Sequence, residues 1–206
     1  MEDVEAKAWR NAEEQDLWIF DKLIVSRRMG YTCGPAGMDV PRPDVYVVRP
    51  CVNIPGMGKG AYFTYIDKES SHLPPGSFWC KKFYGRHISV DYKDGRQVLA
   101  VEGFRDDGAP FWRFSKWVKI DDVIPMPSML YDISKRYETI NVEYIDDNLI
   151  EVHLRGNPDF IYDNSVMYPM WNDQKLSDFP FIAAEKLRLV NAVEYNRQGI
   201  WVDKQS

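Results

Sequence analysis

The sequence predicts an α+β fold made mostly of antiparallel sheets with flanking helices. Two observations carry that prediction. Runs of β-branched and aromatic residues follow one another through tight turns, as in HISVDY-KDG-RQVLAVEGFR, instead of alternating one for one with helices as a doubly wound parallel sheet requires. Amphipathic helical patterns are concentrated at the two ends of the chain.

The first of these patterns covers residues 3–30, where Val4, Ala8 and Ala12 and then Leu17, Ile19, Phe20, Leu23 and Ile24 recur at helical spacing; a break is expected near Asp16, and Gly30, Gly34, Pro35 and Gly37 end the pattern. VYVVRPCVNI then reads as a strand, PGMGKGA as a glycine-rich loop and YFTYI as a second strand. FWCKKFYG is a short strand with an exit turn, and Asp94-Gly95 marks the hairpin that follows. FWRFSKWVKI reads as a further strand or an edge, and residues 127–137 as a short helix. Residues 138–160, ETINVEYIDDNLIEVHLRGNPDF, form two strands about the turn Asp146-Asp147-Asn148, and the tail from Asp178 to Arg197 is expected to be an amphipathic helix.

A length of 206 residues, 45% of them hydrophobic, suits one domain with a real core or two small lobes packed together. A net charge of -5 gives no general field for a phosphate polymer, which argues against nucleic acid as the main partner while leaving a local basic patch open. Cys33, Cys51 and Cys80 are odd in number and lack zinc spacing, so reduced thiols in a cytoplasmic protein are expected. The acidic N-terminus is no signal peptide, and no apolar run is long enough to span a membrane.

Candidate chemistry concentrates in the 138–160 hairpin. Side chains alternate faces along a strand, so Glu151, His153 and Arg155 share one face while Val152 and Leu154 take the other. Glu143 on the adjacent strand completes a carboxylate pair that suits either a divalent metal or a salt-bridged structural hairpin, with Arg155, Lys116 or a metal as the counter-charge. Upstream, Arg49 interrupts an apolar strand directly before the loop containing Gly56, Gly58, Lys59 and Gly60. Such a loop serves either as a plain turn or as a phosphate cradle, although it does not match the GxxxxGK[ST] pattern. Trp112 and Trp117 beside Arg113 and Lys116 offer either base stacking or a half-buried strand.

In order, DKLIVSRRMG, VYVVRP with PGMGKGA, FWCKKFYGRHISVDYKDG, NVEYI and IEVHLR resemble the motif series of the ATP-grasp superfamily over residues 16–160. The resemblance implies a two-lobed ATP-grasp-like fold gripping ATP, with residues 16–83 as the small nucleotide-lid lobe and 84–206 as the larger lobe carrying a metal site. It implies Mg²⁺-dependent joining of a carboxylate to an amine through an acyl-phosphate; the alternatives are an inactive nucleotide-binding or regulatory protein of the same fold, or a nucleic-acid-binding module. Carried over, Lys22 and Arg49 contact ATP phosphates, Gly56, Gly58, Lys59 and Gly60 form the lid loop, and the backbone about Lys81, Lys82 and Phe83 meets adenine. His87 stands at a ribose-side position, Glu143, Glu151 and His153 hold Mg²⁺ with His153 where the family has Asn, and Arg155 steadies the acyl-phosphate. Because barely twenty residues precede Asp21, the N-terminal substrate domain of such ligases is expected to be missing, so that the acceptor site for a small carboxylate or amine would come from a protein partner or a homodimer.

Overall fold

The structure, a computed structural model, describes residues 4–52, 60–161, 163–179, 187–190 and 197–203. The N-terminal pattern forms three helical pieces: α1 (Val4–Asn11), a 3-10 segment (Glu14–Phe20) and α2 (Lys22–Arg28). The breaks therefore fall at residues 12–13 and at Asp21, and Asp16 lies inside the middle piece. Asp21 starts α2 because its Oδ1 accepts the N–H groups of Leu23 and Ile24 at 2.9 and 3.1 Å, donors that no helical carbonyl can satisfy. Asp16 is almost fully buried and accepts from Arg136 Nε and the Tyr137 hydroxyl, both at 2.9 Å. Asp16→Ala is expected to lower unfolding free energy by about 2 kcal/mol in urea titration, because it removes the buried acceptor that the Arg136 guanidinium and the Tyr137 hydroxyl share.

The strands follow as β1 (Cys33–Pro35), β2 (Asp44–Pro50), β3 (Tyr62–Ile66), β4 (Ser77–Lys81), β5 (His87–Lys93), β6 (Arg96–Phe104) and β7 (Lys116–Lys119). After a 3-10 turn (Ser128–Leu130) and α3 (Tyr131–Ser134) come β8 (Ile140–Ile145), β9 (Asn148–His153) and β10 (Val166–Trp171); a 3-10 turn (Leu176–Asp178), β11 (Leu187–Val190) and β12 (Arg197–Asp203) complete the order. Among the described residues they build two sheets, β1-β4-β2-β3 and β11-β12-β10-β7-β6-β5-β8-β9, in which every pairing is antiparallel. Asp94 and Gly95 both have positive φ, 49° and 75°, the backbone that a two-residue hairpin between right-twisted strands demands.

One expectation, the tail helix, is corrected. Residues 187–190 are a strand paired with β12, so the tail is not one helix; Leu187 packs with Met170, Phe179 and Trp201, an apolar contact that a four-residue extended segment can reach. The remainder of that expected helix, residues 180–186 and 191–196, lies outside the described residues. β7 is interior to its sheet, between β6 and β10, and is no edge. β10 carries Pro169 in a sheet interior, which is tolerated because β7 pairs only with Val166 and Met167; at Pro169 the strand has a neighbour on the β12 side alone.

Each sheet has its own apolar core. Tyr46, Val48, Ile66 and Trp79 fill one behind the four-stranded sheet. Ile88, Val90, Val142, Leu149 and Val152 fill the other, closed by Ala8, Ile19, Phe20 and Val25 of the helical pieces. The alternation that sends these residues into the two cores sends their neighbours into the space where the sheets meet.

Candidate active site

That space is a cavity of about 360 Å³, lined among others by Lys22, Arg49, Lys82, Phe83, His87, Glu143, Glu151, His153 and Arg155. Nine residues singled out from the sequence, widely separated in the chain, thus line one cavity. Lys81 is exposed and is not in the lining; its backbone N–H is taken by Thr32 O at 2.9 Å. Gly60 is exposed at the cavity margin, with φ of 83° and Pro50 beside it. Gly56, Gly58 and Lys59 lie outside the described residues.

The hairpin wall is shaped by a bulge. Glu143 stands directly opposite Glu151, but Tyr144 pairs with Leu149, so Ile150 is the extra residue on β9. A regular strand would place Leu149 on the same face as Glu151. The bulge shifts the phase, so Leu149 is fully buried with Val152 in the core while Glu151 and His153 face the cavity. The Ile150 carbonyl accepts from Arg49 Nη1 at 3.1 Å, a bond from β2 of one sheet to β9 of the other.

Two carboxylates directly opposed on a ladder repel, so counter-charges are required. The structure supplies Lys22, whose buried ammonium lies 2.8 Å from Glu151 Oε1 without a well-aligned hydrogen bond. It also supplies His87, with Nε2 3.2 Å from Glu143 Oε2. His153 Nε2 stands between the pair, 3.8 Å from Glu143 and 3.6 Å from Glu151. Neither Arg155 nor Lys116 plays the expected part: Arg155 Nε binds Glu5 Oε2 at 2.7 Å, and the Lys116 ammonium sits over the Phe104 ring.

Glu5 is the residue that sequence reasoning missed. It comes from α1, is nearly fully buried, and also lies 3.0 Å from His153 Nδ1 through both carboxylate oxygens. Glu5, Ala8, Trp9 and Ala12 have the i, i+3, i+4, i+7 spacing of one helix face, so a carboxylate within an apolar stripe was the available signal. Burial would raise the Glu5 pKa, yet His153 and Arg155 together hold it down at about 2. Burial would lower the His153 pKa, yet Glu5, with help from Glu143, lifts it to about 9. Glu143 is likewise held well below the usual carboxylate range against its burial by His153 and His87.

Glu143 and Glu151, directly opposed on neighbouring strands, offer the carboxylate oxygens that Mg²⁺ takes alongside substrate phosphates. His153 is already engaged beside them, with Nδ1 3.0 Å from Glu5 and Nε2 turned toward both carboxylates. Among the described residues, no group of three or more His, Cys, Asp or Glu is arranged to hold a metal unaided.

The aromatic segment after β6 is turned inward. Trp117 and Phe114 are buried, Trp112 packs edge-on to Trp171 at 5.2 Å, and Arg113 pairs with Asp173 at 2.7 Å.

No protein-family model matches the sequence, and no curated protein matches it. Solved structures do. N5-carboxyaminoimidazole synthetase from Staphylococcus aureus matches with a TM-score of 0.52 and 11% identity over 90% of this chain and 67% of its own. L-amino acid ligase from Bacillus licheniformis matches with 0.52 and 9% identity over 96% and 70%. An ATP-grasp superfamily protein from Archaeoglobus fulgidus gives 0.48 and 10% over 91% and 65%. The chain has an ATP-grasp-like fold. It spans about two thirds of the length of the structures it matches. The ATP-grasp-like fold accounts for the α+β architecture expected from the sequence, and among the described residues no helix is long and apolar enough to cross a membrane.

Proposed function

We propose that the chain binds ATP with Mg²⁺ in the cavity between its sheets and joins a carboxylate to an amine through an acyl-phosphate. The observation that carries this reading is the charge of the cavity. Its lining brings Lys22, Arg49, Lys82 and Arg155 together beside the facing Glu143 and Glu151, in a chain of net charge -5. A polyphosphate beside two facing carboxylates suits that arrangement. The names of the two matched structures with TM-scores of 0.52, a synthetase and a ligase, agree with it.

In this reading Lys22 and Arg49 hold phosphate oxygens, the 82–83 backbone borders the base, and His87 lies on its ribose side. The four-stranded sheet within residues 16–83 acts as the lid, and residues 84–206 carry the metal carboxylates. Glu143 and Glu151 would hold Mg²⁺, which when bound neutralises phosphate charge. His153, as an imidazolium, donates toward phosphate oxygens, and Arg155 steadies the acyl-phosphate. A substrate carboxylate oxygen attacks the γ-phosphorus and the bond to the β–γ bridging oxygen breaks, releasing ADP. The amine nitrogen then attacks the acyl carbon, phosphate leaves, and the amine loses a proton to phosphate or solvent.

Calorimetry with ATP, with and without Mg²⁺, tests the binding; no heat at millimolar ATP would sink the reading. Arg49→Ala is expected to weaken ATP about tenfold or more while circular dichroism stays unchanged, since one charge-assisted contact is lost. A second reading, nucleotide binding without turnover, draws on the internal satisfaction of the site: Lys22 already meets Glu151, and Glu5 already meets His153 and Arg155. ADP release across a panel of carboxylate and amine pairs separates the two.

A further inference from the structure

Arg105 is a cavity cation that the proposed chemistry does not use. It follows the last residue of β6 and is half-buried. Its guanidinium carbon lies 5.0 Å from the Phe111 ring centroid and 5.7 Å from that of Phe114. Among the described residues no carboxylate pairs with it. Asp106 and Asp107, next in sequence, are exposed, and Asp159 across the cavity is committed to Arg197. Burial is the influence on its pKa, lowering it, with no anion opposing. A guanidinium kept partly from water between two rings, without an anion, is poised for a ligand that brings one.

The walls around it are aromatic. Phe63, Phe111, Phe114 and Trp117 line this end of the cavity, and Phe63 meets Phe111 edge-on at 4.8 Å. Gly103 makes room for the floor: a Cβ there would stand 2.6 Å from a Phe114 ring carbon and 2.7 Å from one of Trp117, so both rings rest on bare backbone. His87 joins this end to the charged centre. Its ring lies 4.8 Å from Phe114 and 5.9 Å from Trp117, while its Nε2 faces Glu143.

We propose that the Arg105 end of the cavity is a substrate subsite for an organic carboxylate with an aromatic or bulky apolar body, the carboxylate on the guanidinium and the body on Phe111, Phe114 and Trp117. The inference deepens the ligase reading by naming a substrate class and rests on that reading for its chemistry. The cavity volume falls in the range of small-molecule sites. A carboxylate gives Arg105 a two-pronged partner, and the apolar body gains by leaving water.

The test titrates the full chain with 3-phenylpropanoate, with L-phenylalanine, with the uncharged 3-phenylpropanamide and with acetate, followed by calorimetry. Either aromatic acid should bind at least about tenfold tighter than the amide and than acetate, and Arg105→Met should remove that preference while changing ATP affinity less than about twofold. The tighter of the two acids then identifies a plain acid or an amino acid as the occupant. Equal binding of acid and amide, or no binding of either acid, overturns the subsite. So does an Arg105→Met variant that loses ATP as much as acid, since this end would then belong to the nucleotide. Acid binding without any ATP binding would instead defeat the ligase reading and leave the subsite standing. Gly103→Ala, with its melting curve checked, is a second variant, expected to weaken the aromatic acids more than acetate.

Discussion

Glu151→Gln should cut ATP-dependent ADP release by at least ~100-fold, the upper end of what loss of even an outer-sphere metal partner costs. The substitution keeps size and shape while removing one of two facing charges, and it leaves Glu143, His87 and His153 in place. It also strips the buried Lys22 ammonium of its carboxylate at 2.8 Å, so some stability is lost as well. A Lys22→Met/Glu151→Gln double variant separates the effects: it removes the orphaned charge, and should regain melting temperature without regaining turnover. Turnover by Glu151→Gln at close to the parental rate would refute the role given to the carboxylate pair.

Glu5→Gln is expected to destabilise the fold by about 3–5 kcal/mol in urea titration near pH 6, the range for removing one partner from a buried ion cluster. With the carboxylate gone, His153 and Arg155 face each other with Nδ1 and Nη2 3.4 Å apart, and two like charges share a site that is nearly closed to water. The chain limits the damage by deprotonating His153, so its titration, followed by NMR, should fall from about 9 toward or below 6.5.

The same cluster fixes a pH dependence. His153 binds its proton more tightly when folded, so its contribution is whole below its ordinary pKa of 6.5 and is lost as pH rises through about 9. Glu5 releases its proton more readily when folded, so its contribution is whole above its ordinary 4.5 and is lost as pH falls toward about 2. Melting temperature should therefore be highest between about 4.5 and 6.5 as far as this cluster decides it, and Glu5→Gln should flatten both limbs.

What the sequence made legible was local. The Asp94-Gly95 turn and the period-2 placement of Glu151 and His153 are short-range consequences of backbone geometry, and the structure has both. What it hid depends on distant pairing. Glu5 meets His153 across 148 residues, a partnership no local pattern encodes. Arg105 gains its interest only from having no carboxylate partner among the described residues. LRLV at 187–190 is four residues long, too short for helical and strand periods to differ, and β12 decides the matter by pairing with it.

The bulge at Ile150 gives position 150 an unusual standing toward insertions and deletions. Loss of that one residue would leave a sequence still rich in strand formers, with its turn and its polar residues intact. The ladder would close up regularly, with Glu143 still opposite Glu151 and Tyr144 opposite Leu149, and Leu149 and Glu151, now consecutive, would still point opposite ways. The cost would be the Ile150 carbonyl that accepts from Arg49 Nη1, the bond from one sheet to the other. A deletion of one codon that preserves the reading frame would therefore be tolerated at position 150 better than at its neighbours in β9, where it would turn side chains to the wrong face.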